Sequence, residues 1–173
     1  MNCASSTVVR AMARQVRRPV ILPLSNPVSR SKATPADLMA WTDGRAVIGT
    51  GSPFPPVERN GRPVRVAQTN NAYVFPGVGL GLVATRSRRA TEGMFMAAAR
   101  ALAEASPARL DPGAPLLPPV ADLRDVSARV AVAVGEEAHR AGLSAAEPGS
   151  EEIETLVRRK IWVPDYRPYA PSH

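Results

Sequence analysis

Apolar positions in this chain fall into short runs punctuated by proline, glycine and charge, and their spacing predicts alternating helices and strands. In the opening "MNCASSTVVRAMARQVRRPV", Val8, Val9, Met12, Ala13 and Val16 share one helical stripe, with Arg10, Arg14 and Arg17 outside it and Pro19 ending the helix. Val20 to Leu24 are continuously apolar, too short for a helix, and predict a strand buried on both faces, although Pro23 would forfeit a ladder hydrogen bond at its end. Thr34-Pro35 then starts a helix: threonine as N-cap, proline at the first helical position and Asp37 near the positive end of the dipole. Leu38, Met39 and Trp41 supply its buried side, and Asp43-Gly44 stops it. Ala46 to Thr50 is a second short buried strand. Strand, helix, strand over this distance is a parallel crossover unit of doubly wound α/β sheets.

From Gly51 to Arg65 the chain is rich in proline, glycine and charge and predicts a long loop with a short hairpin at Asn60-Gly61. Pro76 opens an apolar helix to about Ser87, and Thr91 opens another to about Ala105. "SPARLDPGAPLLPPV" is an irregular proline-rich linker. An amphipathic helix runs from Asp122 to about Ala141, stopped by Gly142; a shorter one spans Glu151 to Lys160, and "IWVPDYRPYAPSH" is an extended tail. Residues 1–173 therefore read as one domain: an α/β part over about 8–106, a linker over 107–121, and C-terminal helices and tail over 122–173.

Composition narrows the class. At 173 residues and 45% hydrophobic content the chain can bury a core, which with 5% aromatics and 18 prolines must rest on aliphatic side chains. The single cysteine, Cys3, excludes an internal disulfide framework and points to a reducing, cytoplasmic setting. No apolar run reaches membrane-spanning length, and no secretory signal is present. The acid-free, arginine- and serine-bearing opening also has the character of an organellar transit peptide, the alternative to an ordinary helix. The charge of +7 is carried almost wholly by arginine, since Lys32 and Lys160 are the only lysines among 22 basic residues.

Individual motifs offer chemistry only with a structural alternative beside it. "GTGSPF", Gly49 to Phe54, starts like a dinucleotide fingerprint, but Pro53, Pro55 and Pro56 forbid the helix start that would receive a pyrophosphate. "GVGLG", Gly77 to Gly81, lacks the spacing and reads as a close helix-to-sheet contact. Ser25 and Asn26 lie just past the carboxyl end of a buried strand, the edge where open α/β sheets bind ligands. Asn26 suits a carboxylate, a hydroxyl or a nicotinamide amide; its alternative is an Asx-type turn before Pro27. Asn70 and Asn71 face the same choice between a turn and a ligand; one capping the following helix while the other points into the crevice would explain the doublet better than two turn residues. Glu136-Glu137 and Glu151-Glu152 read as solvated, and His139 and His173 lack partners for zinc. Arg86-Arg88-Arg89 and Arg158-Arg159-Lys160 sit at helix C-termini, where the dipole favours cations, and few aromatics accompany them, which argues against nucleic acid.

Taken together, "ILPLSNPVSRSKATPADLMAWTDGRAVIGTGSPFPPV", "AQTNNAYVFPGVGLGLV", "LLPPVADLRDVSARVAVAV" and "WVPDYRPY" closely resemble the C-terminal half of the nicotinamide-binding domain of NAD(P)-dependent malic enzymes, from about Val8 to Tyr169. The resemblance implies a partial Rossmann-like parallel sheet flanked by helices. It implies oxidative decarboxylation of malate to pyruvate and CO2 with NAD or NADP and a divalent metal, Mg or Mn. It places Asn26, Asn70 and Asn71 against malate, and Ser25, Asn26 and Asn70 against the cofactor. Ala67 in place of a glycine and Thr69 in place of a small residue depart from the family pattern, as does "MNCASS".

The family's tyrosine and lysine acid-base pair, its metal carboxylates and its glycine-rich loop are not among these residues, so no catalytic residue and no metal ligand is assigned. The expectation is a fragment inactive by itself, completed by an upstream malic enzyme half or in a homo-oligomer. The alternatives are a non-catalytic partner docking onto an intact malic enzyme and a degenerate remnant.

Overall fold

The structure, a computed structural model, describes residues 3–59, 61–146 and 152–166. Readings that involve Asn60, Glu151, His173 and the tail beyond Tyr166 lie outside the described residues.

Helix α1 (Cys3–Gln15) leads to strand β1 (Val20–Ile21), α2 (Pro35–Trp41) and β2 (Val47–Thr50). The β1 and β2 strands pair in parallel, Val20 opposite Val47 and Ile21 opposite Ile48, so the expected crossover unit is present. The start of α2 follows from its sequence. Thr34 and Asp37 form a reciprocal capping box, with Pro35 at the first turn, and positive φ at Asp43 and Gly44 ends the helix region.

A hairpin follows, β3 (Val57–Arg59) against β4 (Arg62–Val64), with Gly61 at φ 71 in the connection. Strand β5 (Ala67–Gln68) then returns alongside β2 in parallel, Gly49 opposite Ala67 and Thr50 opposite Gln68. The parallel sheet has the order β1-β2-β5 and is flanked by helices, a small Rossmann-like arrangement.

Helices α3 (Phe75–Ala84), α4 (Glu92–Glu104), α5 (Leu123–Arg140) and α6 (Ile153–Lys160) pack mainly on one another. Met94, Ala98, Val130, Val134 and Ala138 form the centre of that body, and Val157 of α6 closes a second cluster against Ala84 and Ala131. A third, smaller core under the sheet joins Val9, Leu38, Ala46, Ile48 and Val66. The proline-rich stretch between α4 and α5 is pinned to the core: Tyr73 donates its phenol to the Pro118 carbonyl at 2.6 Å, and Ser106 donates to the Leu116 carbonyl at 2.6 Å.

Three local expectations are corrected. Strand β1 is not buried on both faces: Val20, Leu22 and Leu24 are exposed, because β1 pairs on one side only among the described residues. Of the apolar stripe expected on α1 and the turn after it, Val9 and Ala13 are buried, while Val8, Met12 and Val16 are exposed. This helix packs on α2, so the covered stripe is narrower than its apolar one.

The glycines of α3 approach a helix, not the sheet. A Cβ on Gly77 would lie 2.6 Å from Val130 Cβ, and one on Gly81 would lie 2.6 Å from the Ala131 carbonyl oxygen. Spaced four apart, Gly77 and Gly81 share one face of α3, and their bare backbone lets α5 come close.

Candidate functional site

All three parallel strands point their carboxyl ends to the same side, and the loops that leave them carry the residues singled out in the sequence. From β1 come Ser25 and Asn26, from β2 come Gly51 and Ser52, and from β5 come Thr69, Asn70 and Asn71. Neighbouring strands lie about 4.8 Å apart, so the β1 and β5 loops are separated by roughly 10 Å, a gap suited to a small ligand. The stiffness of the edge comes from short polar and backbone ties between adjacent loops.

Ser52 supplies the first tie. It is buried, and its hydroxyl donates to Asn26 Oδ1 at 3.0 Å, with the Ser25 carbonyl at 3.4 Å. The Gly51 amide donates to the Pro23 carbonyl at 3.1 Å, and a Cβ on Gly51 would lie 2.5 Å from the Leu24 carbonyl oxygen. Only glycine allows the β1 and β2 loops to lie this close. Asn26 precedes Pro27 through a cis peptide bond, and its Oδ1 is taken by Ser52, which leaves the carboxamide NH2 as its free donor.

On the other side, the Thr69 amide donates to the Thr50 carbonyl at 2.7 Å, extending the β2–β5 ladder to the site. Gln68 reaches back with its Nε2 to the Gly51 carbonyl at 3.4 Å. Asn70 then caps a short 3₁₀ turn over Asn71–Tyr73 by accepting from the Ala72 amide at 2.9 Å. Asn71 is exposed, and its carboxamide has no hydrogen-bond partner among the described residues. The doublet therefore divides: one amide side chain holds the turn, and the other is left available.

Two buried hydroxyls beneath the loops, Thr50 Oγ1 and Thr69 Oγ1, find no hydrogen-bond partner among the described residues. Thr69 fits because Gly49 opposite it has no side chain; a Cβ there would be 2.5 Å from the threonine hydroxyl. Orphaned buried hydroxyls beside an exposed carboxamide mark an edge whose polar capacity the fold itself does not consume. The side chains of Ser25, Asn26, Ser52, Gln68, Thr69, Asn70 and Asn71 at this edge are amides and hydroxyls. These groups orient carboxylates and carboxamides by hydrogen bonds and do not shuttle protons near neutrality.

Sequence reasoning missed Ser52 and Gln68. Ser52 sat inside a glycine motif weighed only as a failed dinucleotide fingerprint; its position directly after a strand end, beside Ser25-Asn26, was the available signal.

The other candidates are dispersed. Glu137 is not simply solvated, as the reading of Glu136-Glu137 had it: Arg140 donates to both its oxygens, at 2.8 and 2.6 Å, and this hydrogen bonding holds its carboxyl below the usual range. His139 is exposed. No group of three His, Cys, Asp or Glu able to hold a metal occurs among the described residues. Arg88 donates to the Gly142 carbonyl at 2.9 Å, tying two helix ends together. No described helix is long and apolar enough to cross a membrane.

A parallel sheet with a helical crossover and polar loops leaving its carboxyl edge defines the class: a Rossmann-like α/β domain. Residues 2–139 match the family "Malic enzyme, NAD binding domain", and the chain belongs to that family. The match begins ahead of Val8, so the expectation that "MNCASS" lies wholly outside the family pattern is corrected.

The chain is 48% identical over 162 residues to an NAD-dependent malic enzyme of Pseudomonas syringae pv. tomato, covering 94% of this chain and 29% of that protein. To NAD-dependent malic enzyme 3 of Bacillus subtilis it is 52% identical over 161 residues, covering 93% and 28%. Among solved structures, malic enzyme from Pyrococcus horikoshii superposes with TM-score 0.57 at 28% identity, over 81% of this chain and 28% of that one. The fold is also that of the Entamoeba histolytica enzyme, at TM-score 0.62 and 22% identity over 81% and 25%. The chain thus spans under a third of the length of the relatives it matches.

Proposed function

We propose that this chain supplies the amide-bearing rim of a malic enzyme active site: Asn26, Asn70 and Asn71 contact malate, and Ser25, Asn26 and Asn70 contact the nicotinamide part of the cofactor. The observation that carries the reading is the exposed, unpartnered Asn71 carboxamide next to Asn70, on a loop that leaves the same edge of the parallel sheet as the loop bearing Asn26. The relatives are NAD-dependent enzymes, which favours NAD over NADP. Ser25, Asn26 and Asn70 would hold the nicotinamide end of bound NAD, which would supply a hydride acceptor.

The chain's own contribution is orientation. The Asn26 NH2, released by the Ser52 contact to its oxygen, donates to a carboxylate or a carboxamide oxygen. Asn71 offers a donor and an acceptor, the pair needed to align a nicotinamide amide or a malate carboxylate. Neutral amides do this without changing the charge at the reacting carbon, and holding reactants in line is a large part of the rate gain available to such a site.

The divalent metal does not fit the described residues, which offer no cluster of ligands, and no step through it is assigned here. The acid-base pair and the metal ligands would come from an upstream malic enzyme half, and the exposed β1 edge, with Val20, Leu22 and Leu24 uncovered, offers a place for it to pair.

The test is complementation. The remaining portion of a malic enzyme relative is mixed with this chain, and NAD reduction is followed with malate and manganese. Either piece alone gives no turnover, the mixture gives turnover, and Asn71→Ala removes it. A mixture that associates yet stays inactive contradicts the proposal.

A further inference from the structure

A cluster of positive charge lies at the opposite edge of the parallel sheet, around the amino ends of its strands. Arg17 and Arg18 precede β1, Arg45 precedes β2, Arg65 precedes β5, and Arg59 projects from the hairpin strand β3. These five arginines line one open cavity of about 500 Å³. Its remaining wall comes from strand residues and the Pro112–Leu116 segment, and no carboxylate lines it. That volume falls within the roughly 300–1,000 Å³ of small-ligand pockets.

The arginines are not equally committed. Arg45 donates to the Arg17 and Ala13 carbonyls at 2.9 and 3.1 Å and stands 3.8 Å from Asp43; Arg18 donates to the Pro112 carbonyl. These contacts fix two guanidinium groups as part of the wall. The guanidinium groups of Arg17, Arg59 and Arg65 make no hydrogen bond or ion pair among the described residues, although the Arg17 carbonyl accepts from Arg45. Glu58, next to Arg59 on β3, and Asp111, which accepts from the Gly113 amide at 2.8 Å, both lie outside the lining. Like charges gathered around one cavity repel, and an anion with several oxygens removes the repulsion while accepting paired N–H bonds from planar guanidinium forks.

We propose that this cavity binds a small phosphorylated ligand carrying two or more negative charges. Phosphate is favoured over carboxylate because its oxygens can be shared among three guanidinium groups approaching from different strands. The inference goes beyond the malate reading and stands without it, since none of these arginines belongs to the asparagine loops.

The test uses the full chain and pyrophosphate as probe, titrated calorimetrically at low ionic strength, with succinate as a dicarboxylate arm. The expected result is saturable one-site binding of pyrophosphate, tighter than succinate, weakened about tenfold in Arg59→Ala/Arg65→Ala and unchanged in Arg89→Ala, a surface arginine elsewhere. Circular dichroism checks that each variant is folded; if the double variant is not, Arg17→Ala provides the same readout. Unsaturable binding, equal weakening by Arg89→Ala, or tighter binding of succinate each overturns the proposal. Binding that persists at wild-type strength in the folded double variant does so as well.

Discussion

Alanine substitutions at the three glycines of α3 test the packing that supports the carboxyl-edge loops, because they ask opposite things of one helix. At Gly77 a Cβ would stand 2.6 Å from Val130 Cβ and 2.8 Å from the Ser127 carbonyl oxygen; at Gly81 it would stand 2.6 Å from the Ala131 carbonyl oxygen. Optimal contact between carbons is about 3.5–4.0 Å, so the two helices must separate by roughly 1 Å. None of these atoms is the flexible end of a side chain.

Overpacking of that kind costs about 1–3 kcal/mol, against which alanine's better helix propensity returns about 1 kcal/mol. Gly77→Ala is therefore expected to destabilise by up to about 2 kcal/mol, and Gly77→Ala/Gly81→Ala by up to about 4 kcal/mol. Gly79 has nothing within 4 Å of its Cβ position and is exposed, so Gly79→Ala should stabilise by about 0.5–1 kcal/mol. Thermal unfolding followed by circular dichroism separates them, at about 2–4 °C per kcal/mol for a chain of this size. Equal or greater melting temperatures for Gly77→Ala and Gly79→Ala would refute the close approach of α3 to α5.

Other outcomes follow from single contacts. Ser52→Ala removes the hydroxyl that binds Asn26 Oδ1 and should cost about 1 kcal/mol of stability, while weakening substrate affinity in the complemented enzyme more than the cofactor-independent fold. Tyr73→Phe leaves the Pro118 carbonyl without its donor and should cost about 1 kcal/mol, measured by urea unfolding. Burial raises the Tyr73 phenol above its ordinary 10.0, so the unfolded chain ionises first; wild-type stability should fall as pH rises past that value, and Tyr73→Phe should lose this part of the decline. The Glu137 carboxyl is held down by Arg140, so the pair stabilises the fold above the ordinary carboxylate pKa and is lost as pH falls through the depressed one; in Arg140→Gln, carbon-detected titration should return Glu137 toward the usual range.

Much of the architecture was legible because local signals and tertiary structure agree. Thr34, Pro35 and Asp37 start α2 through contacts within four residues, and Gly61 and Gly142 turn with positive φ where the pattern placed breaks. The burial of β1 and α1 was misjudged for a common reason: an apolar run states what can be covered, and coverage depends on neighbours that the local pattern does not contain. The small-residue face of α3 was read as a sheet contact because spacing identifies a close approach and not the partner.

At the candidate site, a strand end located Ser25 and Asn26, but the two-residue β5 that brings Asn70 and Asn71 to the same edge is too short to read from the pattern, and the tie from Ser52 to Asn26 joins residues 26 apart in sequence. The arginine cavity was hidden in the same way, since its five arginines come from four separate stretches that are individually unremarkable.

The most direct measurement is a crystal structure of this chain complemented by the remaining malic enzyme portion, with malate and NAD bound. The account predicts the carboxamides of Asn26, Asn70 and Asn71 within about 3.2 Å of malate or nicotinamide polar atoms. Ligands bound with those side chains turned to solvent, or seated away from the carboxyl edge of β1, β2 and β5, would contradict it.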